Sequence, residues 1–311
     1  MVSDMTAPAF CYVVVAHESS GTERLVRRIR ALSPGAAVLV RFDDPDAFDA
    51  AALRRAGAIP FVSRVRVRWG TWSLTEAMLE ALGQAQAMTG AGHYVLISGQ
   101  DYPIRNLAAW EREWAARGAD ALIEQTPDQP DNWRYRWWLP EVRHPRHAGP
   151  YRAVRHLGWR IGTLTKPVLQ VLPRFAEGDR RWFVGVRRPG VRPPIPIVKA
   201  SQWMTLSARA VRRLLERDAA EPRLRAWFRT VRITDEVYLQ SLAHDDPELQ
   251  VVAGPTTLKE FGEDPSSPLW LDADRLRRLA TGTTAPFARK FAPDAPAGLV
   301  AAADALADDR P

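Results

Sequence analysis

The sequence predicts an α/β fold with a Rossmann-like, mostly parallel central sheet. Over residues 10–98, short apolar runs rich in β-branched residues alternate with stretches whose apolar residues recur at helical spacing. That alternation is typical of βαβ units, in which parallel strands are covered by helices. The chain has 311 residues, a length that one large α/β domain accommodates.

The amino-terminal elements follow from these patterns. Each apolar run is four to six residues long and predicts a strand, and each intervening stretch predicts a helix. The predicted strands are Cys11–Ala16, Ala37–Phe42, Pro60–Ser63 and His93–Ser98, and the predicted helices are Glu23–Leu32, Ala47–Ala56 and Leu74–Met88.

The second half is less regular. Residues 127–196 are rich in Pro, Arg and Trp and predict an irregular insertion over one face of the sheet, with a helix over Leu164–Leu172. Residues 1–294 are expected to form a single domain, and residues 295–311 a disordered tail. The remaining predicted elements are a strand at Ala200–Leu206 and helices at Ala208–Arg217, from Thr234 onward and at Ala273–Leu279.

Composition narrows the classes of protein. Hydrophobic residues make up 46% and charged residues 25%, as in ordinary globular proteins. Cys11 is the only cysteine, so an intrachain disulfide is excluded. No signal peptide or long apolar span is recognised, which predicts a cytoplasmic protein, with peripheral association at the inner membrane as an alternative. The net charge of +7 favours anionic partners.

Polar residues follow several of the predicted strands. His17 comes after the first strand, Asp43 after the second, and the turn Ser98–Pro103 (SGQDYP) ends the fourth. In open parallel sheets, ligands bind beyond the carboxyl ends of the strands. We therefore expect these residues to line a common cleft.

Seven short motifs occur in order between about residues 10 and 292. They are His17 after a strand, Arg41–Asp43 (RFD), Val67–Gly70 (VRWG), Ser98–Pro103 (SGQDYP), Lys199–Trp203 (KASQW), Thr234–Glu236 (TDE) and Phe287–Phe291 (FARKF). Together they resemble the core-2/I-branching N-acetylglucosaminyltransferase and xylosyltransferase family, in a bacterial member. That resemblance implies a GT-A-type glycosyltransferase fold, a UDP-sugar donor, inversion at the anomeric carbon and no divalent metal.

The resemblance also implies a donor-binding set. Asp43 falls where the family's carboxylate meets the uracil and ribose, and Lys290 matches its phosphate-binding lysine. Relatives carry a second cation upstream, but residues 266–269 read SSPL here, so Lys259 or an arginine of the insertion is an alternative. The implied donor-binding residues are His17, Asp43, Trp69, Gly70, Gly99, Gln100, Asp101, Arg289 and Lys290.

Catalysis and acceptor binding are assigned in the same way. An inverting transfer needs a carboxylate that takes the proton of the attacking hydroxyl, and Glu236 matches the family's base. For Trp203, an inward core position is an equal alternative. The implied acceptor-binding residues are Arg134, Arg136, Ser201, Gln202 and Trp203.

Asp43, Asp44 and Asp46 imitate the Asp-x-Asp motif that holds a metal in other GT-A enzymes. We interpret the match as accidental, with Asp44 and Asp46 as helix N-caps, and predict no metal and no cofactor.

UDP-GlcNAc is favoured as donor, and UDP-xylose is the alternative. The acceptor is expected to be a hydroxyl of a glycan, glycolipid or glycoconjugate. A non-catalytic nucleic-acid- or glycan-binding protein is the alternative class, although no nucleic-acid partner is predicted, and oligomeric state is left open.

Overall fold

The computed structural model describes residues 7–68, 70–125, 137–138, 141–143, 169–173, 181–187, 192–262 and 267–309. The strands are β1 (Phe10–Val15), β2 (Ala37–Phe42), β3 (Ile59–Val62), β4 (His93–Ser98), β5 (Asp101–Pro103), β6 (Ala121–Gln125), β7 (Trp137–Trp138), β8 (Glu141–Arg143), β9 (Leu169–Pro173), β10 (Arg181–Arg187), β11 (Ala200–Ser207), β12 (Val251–Ala253), β13 (Thr257–Lys259) and β14 (Phe287–Arg289).

The helices lie between and after these strands. Short 3₁₀ turns occupy Pro45–Ala47 and Thr234–Glu236. The α-helices are α1 (Ser20–Leu32), α2 (Ala50–Arg55), α3 (Trp72–Thr89), α4 (Leu107–Ala116), α5 (Ala208–Ala220), α6 (Pro222–Phe228), α7 (Tyr238–Asp245), α8 (Ala273–Ala280) and α9 (Ala297–Asp309).

A seven-stranded sheet with the order β12-β6-β11-β4-β1-β2-β3 forms the centre of the fold. β1 pairs in parallel with β2 and β4, β2 with β3, and β12 with β6. β11 alone runs antiparallel to its neighbours β4 and β6. The predicted α/β class with a mostly parallel central sheet is therefore confirmed.

Both faces of this sheet are covered. Every residue of β1 is buried, and alternate side chains point to opposite faces. Val13 packs with Met78 of α3 in one core cluster, while Val14 packs with Leu25 of α1 and Trp110 of α4 in another. Burial on both sides explains why this strand is continuously apolar rather than alternating.

Two smaller sheets accompany the central one. β13, β14 and β5 form a three-stranded sheet, in which Asp101 lies opposite Arg289 and Arg289 opposite Lys259. Within the predicted insertion, β10 pairs with β7, β8 and β9. The helix predicted over Leu164–Leu172 is wrong from residue 169 onward, because those residues form β9.

The predicted disordered tail is also wrong over most of its length, because residues 297–309 form α9. Leu299, Ala302 and Ala303 are buried in a cluster with Tyr102 of β5. Asp304 forms an ion pair with Arg28 of α1 at 2.8 Å. The alanine-rich composition, from which we expected a disordered tail, instead gives α9 an apolar face that packs against β5.

The remaining boundaries agree closely with the predictions. β2 and β4 have the predicted limits, and α3 extends the predicted helix at both ends. The helix predicted over Ala47–Ala56 is divided, because Asp44 caps a 3₁₀ turn and Asp49 caps α2. Among the described residues, no helix is long and apolar enough to span a membrane.

Candidate functional site

The site begins at the carboxyl ends of β1 and β4. In the central sheet, β2 lies on one side of β1 and β4 lies on the other. The strand order therefore reverses at β1, and a crevice opens between the carboxyl ends of β1 and β4. His17 follows β1 and Gln100 follows β4, and Gln100 Nε2 lies 3.2 Å from His17 Nε2. A β-carbon on Gly99 would lie 2.5 Å from Thr22 Oγ1, so this turn requires glycine. The predicted meeting of His17 with the SGQDYP turn is present.

Asp101 is buried at the start of β5. Its Oδ2 accepts a hydrogen bond of 2.8 Å from the backbone N–H of Ser98. Its Oδ1 lies 3.5 Å from Arg289 Nε across the β5–β14 pair. Burial raises the pKa of Asp101 to about 6, against the opposing effect of the Arg289 charge. Asp101 thus acts as the buried counter-ion of Arg289.

The guanidinium of Arg289 packs against the ring of Trp203. The guanidinium carbon lies 4.9 Å from the centre of the Trp203 ring, a cation–π geometry. Burial lowers the pKa of Arg289. Trp203 itself is buried in the core cluster that covers one face of the central sheet. Of the two interpretations of Trp203, the structure therefore shows the core position, and it adds a contact with Arg289.

Lys290 follows Arg289 and is half-buried. Its Nζ donates a hydrogen bond of 2.7 Å to Ser267 Oγ and lies 5.3 Å from the centre of the Trp270 ring. Trp270 is 49% exposed. Burial lowers the pKa of Lys290, and the neighbouring Arg289 lowers it further. Ser267 lies in the SSPL segment where relatives are expected to carry an arginine.

The charges of several predicted donor-binding residues act on His17. Burial is the largest cause of its lowered pKa, and Lys290 and Arg289 lower it further. Glu18 and Asp43 oppose this shift. Residues separated by more than 240 positions in the chain therefore share one electrostatic environment, and the imidazole favours its neutral form.

Asp43 is held by a buried arginine that was not predicted as a site residue. Arg41 Nη1 lies 3.6 Å from Asp43 Oδ1, and Arg41 Nε lies 3.8 Å from Glu80 Oε2. Arg41 Nη2 donates a hydrogen bond of 2.8 Å to Ser63 Oγ. Asp43 Oδ2 also accepts a bond of 2.5 Å from the backbone N–H of Val67. These contacts fix the orientation of the Asp43 carboxylate.

Glu236 lies at the end of a tight turn and is half-buried. The turn starts at Ile233, whose φ of +53° is rare for a β-branched residue. Gln240 Nε2 donates to the backbone oxygens of Asp235, at 2.8 Å, and of Ser201, at 2.9 Å, so the turn is tied to β11. The predicted helix begins only at Tyr238, and Glu236 therefore precedes its first turn.

The other predicted residues are distributed as follows. Ser201 and Gln202 are half-buried on β11, and Gly70 adopts a φ of +69°. Lys259, the alternative second cation, forms an ion pair with Glu124. Trp69, Arg134 and Arg136 lie outside the described residues.

Two further observations bear on metal binding. The carboxylate of Asp44 accepts a hydrogen bond of 3.1 Å from the backbone N–H of Asp46, as expected for an N-cap. Among the described residues, no three His, Cys, Asp or Glu side chains are grouped so that they could hold a metal ion.

Several residues that position the site were not predicted from the sequence. Arg41 had a visible signal, because an arginine inside the apolar run AVLVRF must be buried with a counter-ion. Glu80, Ser267 and Trp270 had no such signal, because their contacts depend on how distant elements pack.

No family model matches the chain, and no curated protein does. Its fold is similar to several solved structures at low identity. Mouse xyloside xylosyltransferase 1 aligns with 10% identity and a TM-score of 0.38, covering 92% of this chain and 99% of that one. Mannose-1-phosphate geranyltransferase from Thermus thermophilus aligns with 12% identity and a TM-score of 0.32, over 79% and 74%. A glucose-1-phosphate thymidylyltransferase from Bacillus anthracis, described as putative, aligns with 11% identity and a TM-score of 0.34, over 88% and 94%. At these values the similarity carries no argument about function, which rests on the site itself.

Proposed function

We propose that this protein is an inverting glycosyltransferase of GT-A type that transfers a sugar from a UDP-sugar to a hydroxyl of a glycan or glycoconjugate. The observation that carries the proposal is that Arg289 and Lys290, at the end of β14, lie next to the turn that contacts His17. The backbone N–H of Phe291 donates to the carbonyl of Gln100 at 2.9 Å, and Gln100 Nε2 lies 3.2 Å from His17 Nε2. Two adjacent cations beside the turn that follows β4 of the central sheet suit a diphosphate.

The roles in donor binding follow from the surroundings of each residue. Lys290 is half-buried and reaches the surface beside the exposed Trp270, so its ammonium is accessible to a phosphate. Asp43 has a fixed orientation and would accept hydrogen bonds from the uracil or ribose. Fixed positive charges stabilise the departing UDP, the role that a divalent cation has in metal-dependent enzymes. The proposed enzyme is therefore metal-independent.

Glu236 is the proposed general base. As the acceptor oxygen attacks the anomeric carbon opposite the departing phosphate, the Glu236 carboxylate takes the hydroxyl proton. Its turn is tied through Gln240 to Ser201 of β11, and Trp203 of the same strand contacts Arg289. This chain of contacts links the proposed base to the proposed phosphate site. UDP-GlcNAc is the proposed donor, and UDP-xylose is the alternative.

The test separates the two roles by substitution. Glu236→Gln should lower turnover by about 10² to 10⁴, because a positioned base contributes that factor, while UDP affinity stays near the wild-type value. Turnover is measured as UDP release from UDP-GlcNAc with added oligosaccharide acceptors, and affinity by calorimetry. Lys290→Met should weaken UDP binding about 10-fold or more, because a charge-assisted hydrogen bond is lost, and it should also lower turnover, because the departing UDP loses a stabilising charge.

Arg277→Met provides the matched control for Lys290→Met. Arg277 is exposed on α8 and forms an ion pair with Asp274, so its loss removes the same charge at the surface. Equal weakening in both variants would show that net charge, and not the Lys290 site, governs UDP binding. Turnover retained by Glu236→Gln would remove Glu236 as the base.

A further inference from the structure

The segment Arg64–Arg68 carries three arginines in alternation with two valines. Arg64, Arg66 and Arg68 are exposed, whereas Val65 and Val67 are half-buried. We propose that this segment, the arginine ridge, binds the anionic groups of the acceptor and that the acceptor is therefore an acidic glycan. The inference rests on the proposed function and names its acceptor class.

The ridge is held in place from its inner side. The backbone N–H of Val65 donates to Ser63 Oγ at 2.9 Å, and its carbonyl accepts from the Arg41 guanidinium. The backbone N–H of Val67 donates to Asp43 Oδ2 at 2.5 Å. Because both valine positions are tied to the protein, the backbone that carries the three arginines is held in place. Such an ordered surface binds a ligand with a smaller entropic cost than a mobile loop would.

The ridge also connects the two parts of the proposed site. Its first end follows β3, and Val67 contacts Asp43 of the proposed donor site. Just beyond its other end, the carbonyl of Gly70 accepts a bond of 3.3 Å from the backbone N–H of Ile233, three positions before Glu236. A chain bound along the ridge would thus lead toward the proposed base.

The chemistry of the ridge suits carboxylates or phosphates. The exposed side chains of Arg64 and Arg66 are two positions apart in the chain, so their like charges repel each other. Within the described part of the chain, neither Arg64 nor Arg66 forms an ion pair. A ligand with spaced anionic groups relieves the repulsion, and each guanidinium can bind a carboxylate or phosphate through two hydrogen bonds. The donor diphosphate has its own cations in Arg289 and Lys290, which leaves the ridge for the acceptor.

The experiment compares glycan binding by two charge-matched double variants. In the ridge variant, Arg64→Gln is combined with Arg66→Gln. In the control, Arg112→Gln is combined with Arg117→Gln. These two exposed arginines lie in α4 and just after it, where the chain continues to the amino end of β6. Calorimetry at low salt measures binding of an oligogalacturonate, a phosphorylated oligomannose and a neutral chito-oligosaccharide of equal length. UDP binding is measured on the same samples.

We expect the wild type and the control to bind one of the two acidic glycans better than the neutral one. In the ridge variant, that affinity should fall about 10-fold, because two surface ion pairs are lost, and UDP affinity should not change. Comparing the two acidic glycans shows whether carboxylates or phosphates are recognised.

Several results would overturn the inference. They are equal binding of acidic and neutral glycans by the wild type, an unchanged acidic-glycan affinity in the ridge variant, and an equal loss in the control. Tighter binding of a single-stranded polynucleotide than of either acidic glycan, lost in the ridge variant, would assign the ridge to nucleic acid instead. Failure of the wild type to bind UDP would contradict the proposed function, and the glycan comparison would still be readable on its own.

Discussion

Arg41 and Arg289 are both buried arginines at the carboxyl end of a strand, Arg41 in β2 of the central sheet and Arg289 in β14 of the three-stranded sheet, but their surroundings differ. Arg41 lies in β2 and forms ion pairs with two carboxylates, Asp43 and Glu80. It also donates hydrogen bonds to Ser63 and to the carbonyl of Val65. Its positive charge is therefore compensated by the protein itself.

Arg289 has fewer partners. Its one carboxylate is Asp101, at 3.5 Å, and the face of Trp203 lies beneath it. No side-chain hydrogen bond joins Arg289 to another residue of the described chain, although a guanidinium carries five N–H donors. Burying a cation with so little compensation is costly unless something else completes its surroundings.

These two residues show how a buried cation that positions other groups differs from one that binds a ligand. Arg41 donates two hydrogen bonds through Nη2 and has two carboxylates within 4 Å of its other nitrogens, and it orders Asp43 and the segment that follows β3. Arg289 retains donor capacity, and it lies next to Lys290 and beside His17, where an anion would complete its coordination. Three substitutions test this difference.

The largest expected effect is on stability, at Arg41. Arg41→Met should lower the free energy of unfolding by about 3 to 5 kcal/mol, because it leaves Glu80 and Asp43 without their counter-ion in partly buried positions. Urea denaturation measures the change. The double variant Arg41→Met with Glu80→Gln should recover part of the loss. A loss below about 1 kcal/mol would contradict the structural role, since only exposed ion pairs contribute so little.

The next effect concerns the pH dependence of stability, through Asp101. Its folded pKa of about 6 lies above the ordinary value of 3.8, so between these pH values the folded protein binds more protons than the unfolded chain. Stability from this group is therefore greatest below about pH 4 and falls by about 3 kcal/mol as the pH rises to about 6. Asp101→Asn should remove this contribution. Identical slopes of unfolding free energy against pH in the wild type and the variant would show that the pKa of Asp101 is not perturbed.

The smallest effect is expected for Arg289, and it should appear in binding more than in stability. Arg289→Met should weaken UDP binding about 10- to 100-fold, as for the loss of a hydrogen bond to a charged group. Its cost in unfolding free energy should be smaller than that of Arg41→Met, because Arg289 has one carboxylate partner where Arg41 has two, and the raised pKa of Asp101 allows that carboxyl to become neutral when its partner is lost. Calorimetry and urea denaturation of the same variant measure the two quantities. A large stability loss with unchanged UDP affinity would reverse the roles of the two arginines.

Much of the fold was predictable because its signals are local. The strands Ala37–Phe42 and His93–Ser98 have their predicted limits, since buried parallel strands are recognised by continuous apolar runs. Neither α4 nor β6 was predicted, and part of β9 was assigned to a helix. The pairing of β9 with β10 decides its structure, and that pairing is not visible in the sequence around Leu169.

The site was predictable only as far as its motifs extend. Asp101 and Arg289 were identified by resemblance, but their contact depends on the register of β5 against β14. The same register places Arg289 over Trp203, a pair separated by more than 80 positions in the chain. Ser267 could not be recognised as a partner of Lys290, because a serine in an SSPL segment is typical of any surface loop.

We propose that the crevice beside His17 binds a UDP-sugar without a metal. The test is calorimetric titration of the protein with UDP, UDP-GlcNAc, UDP-xylose and UDP-glucuronate, each in EDTA and in Mn²⁺. We expect UDP and one preferred UDP-sugar to bind equally well under both conditions. Binding that requires Mn²⁺, or the absence of binding to UDP and every UDP-sugar, would contradict it.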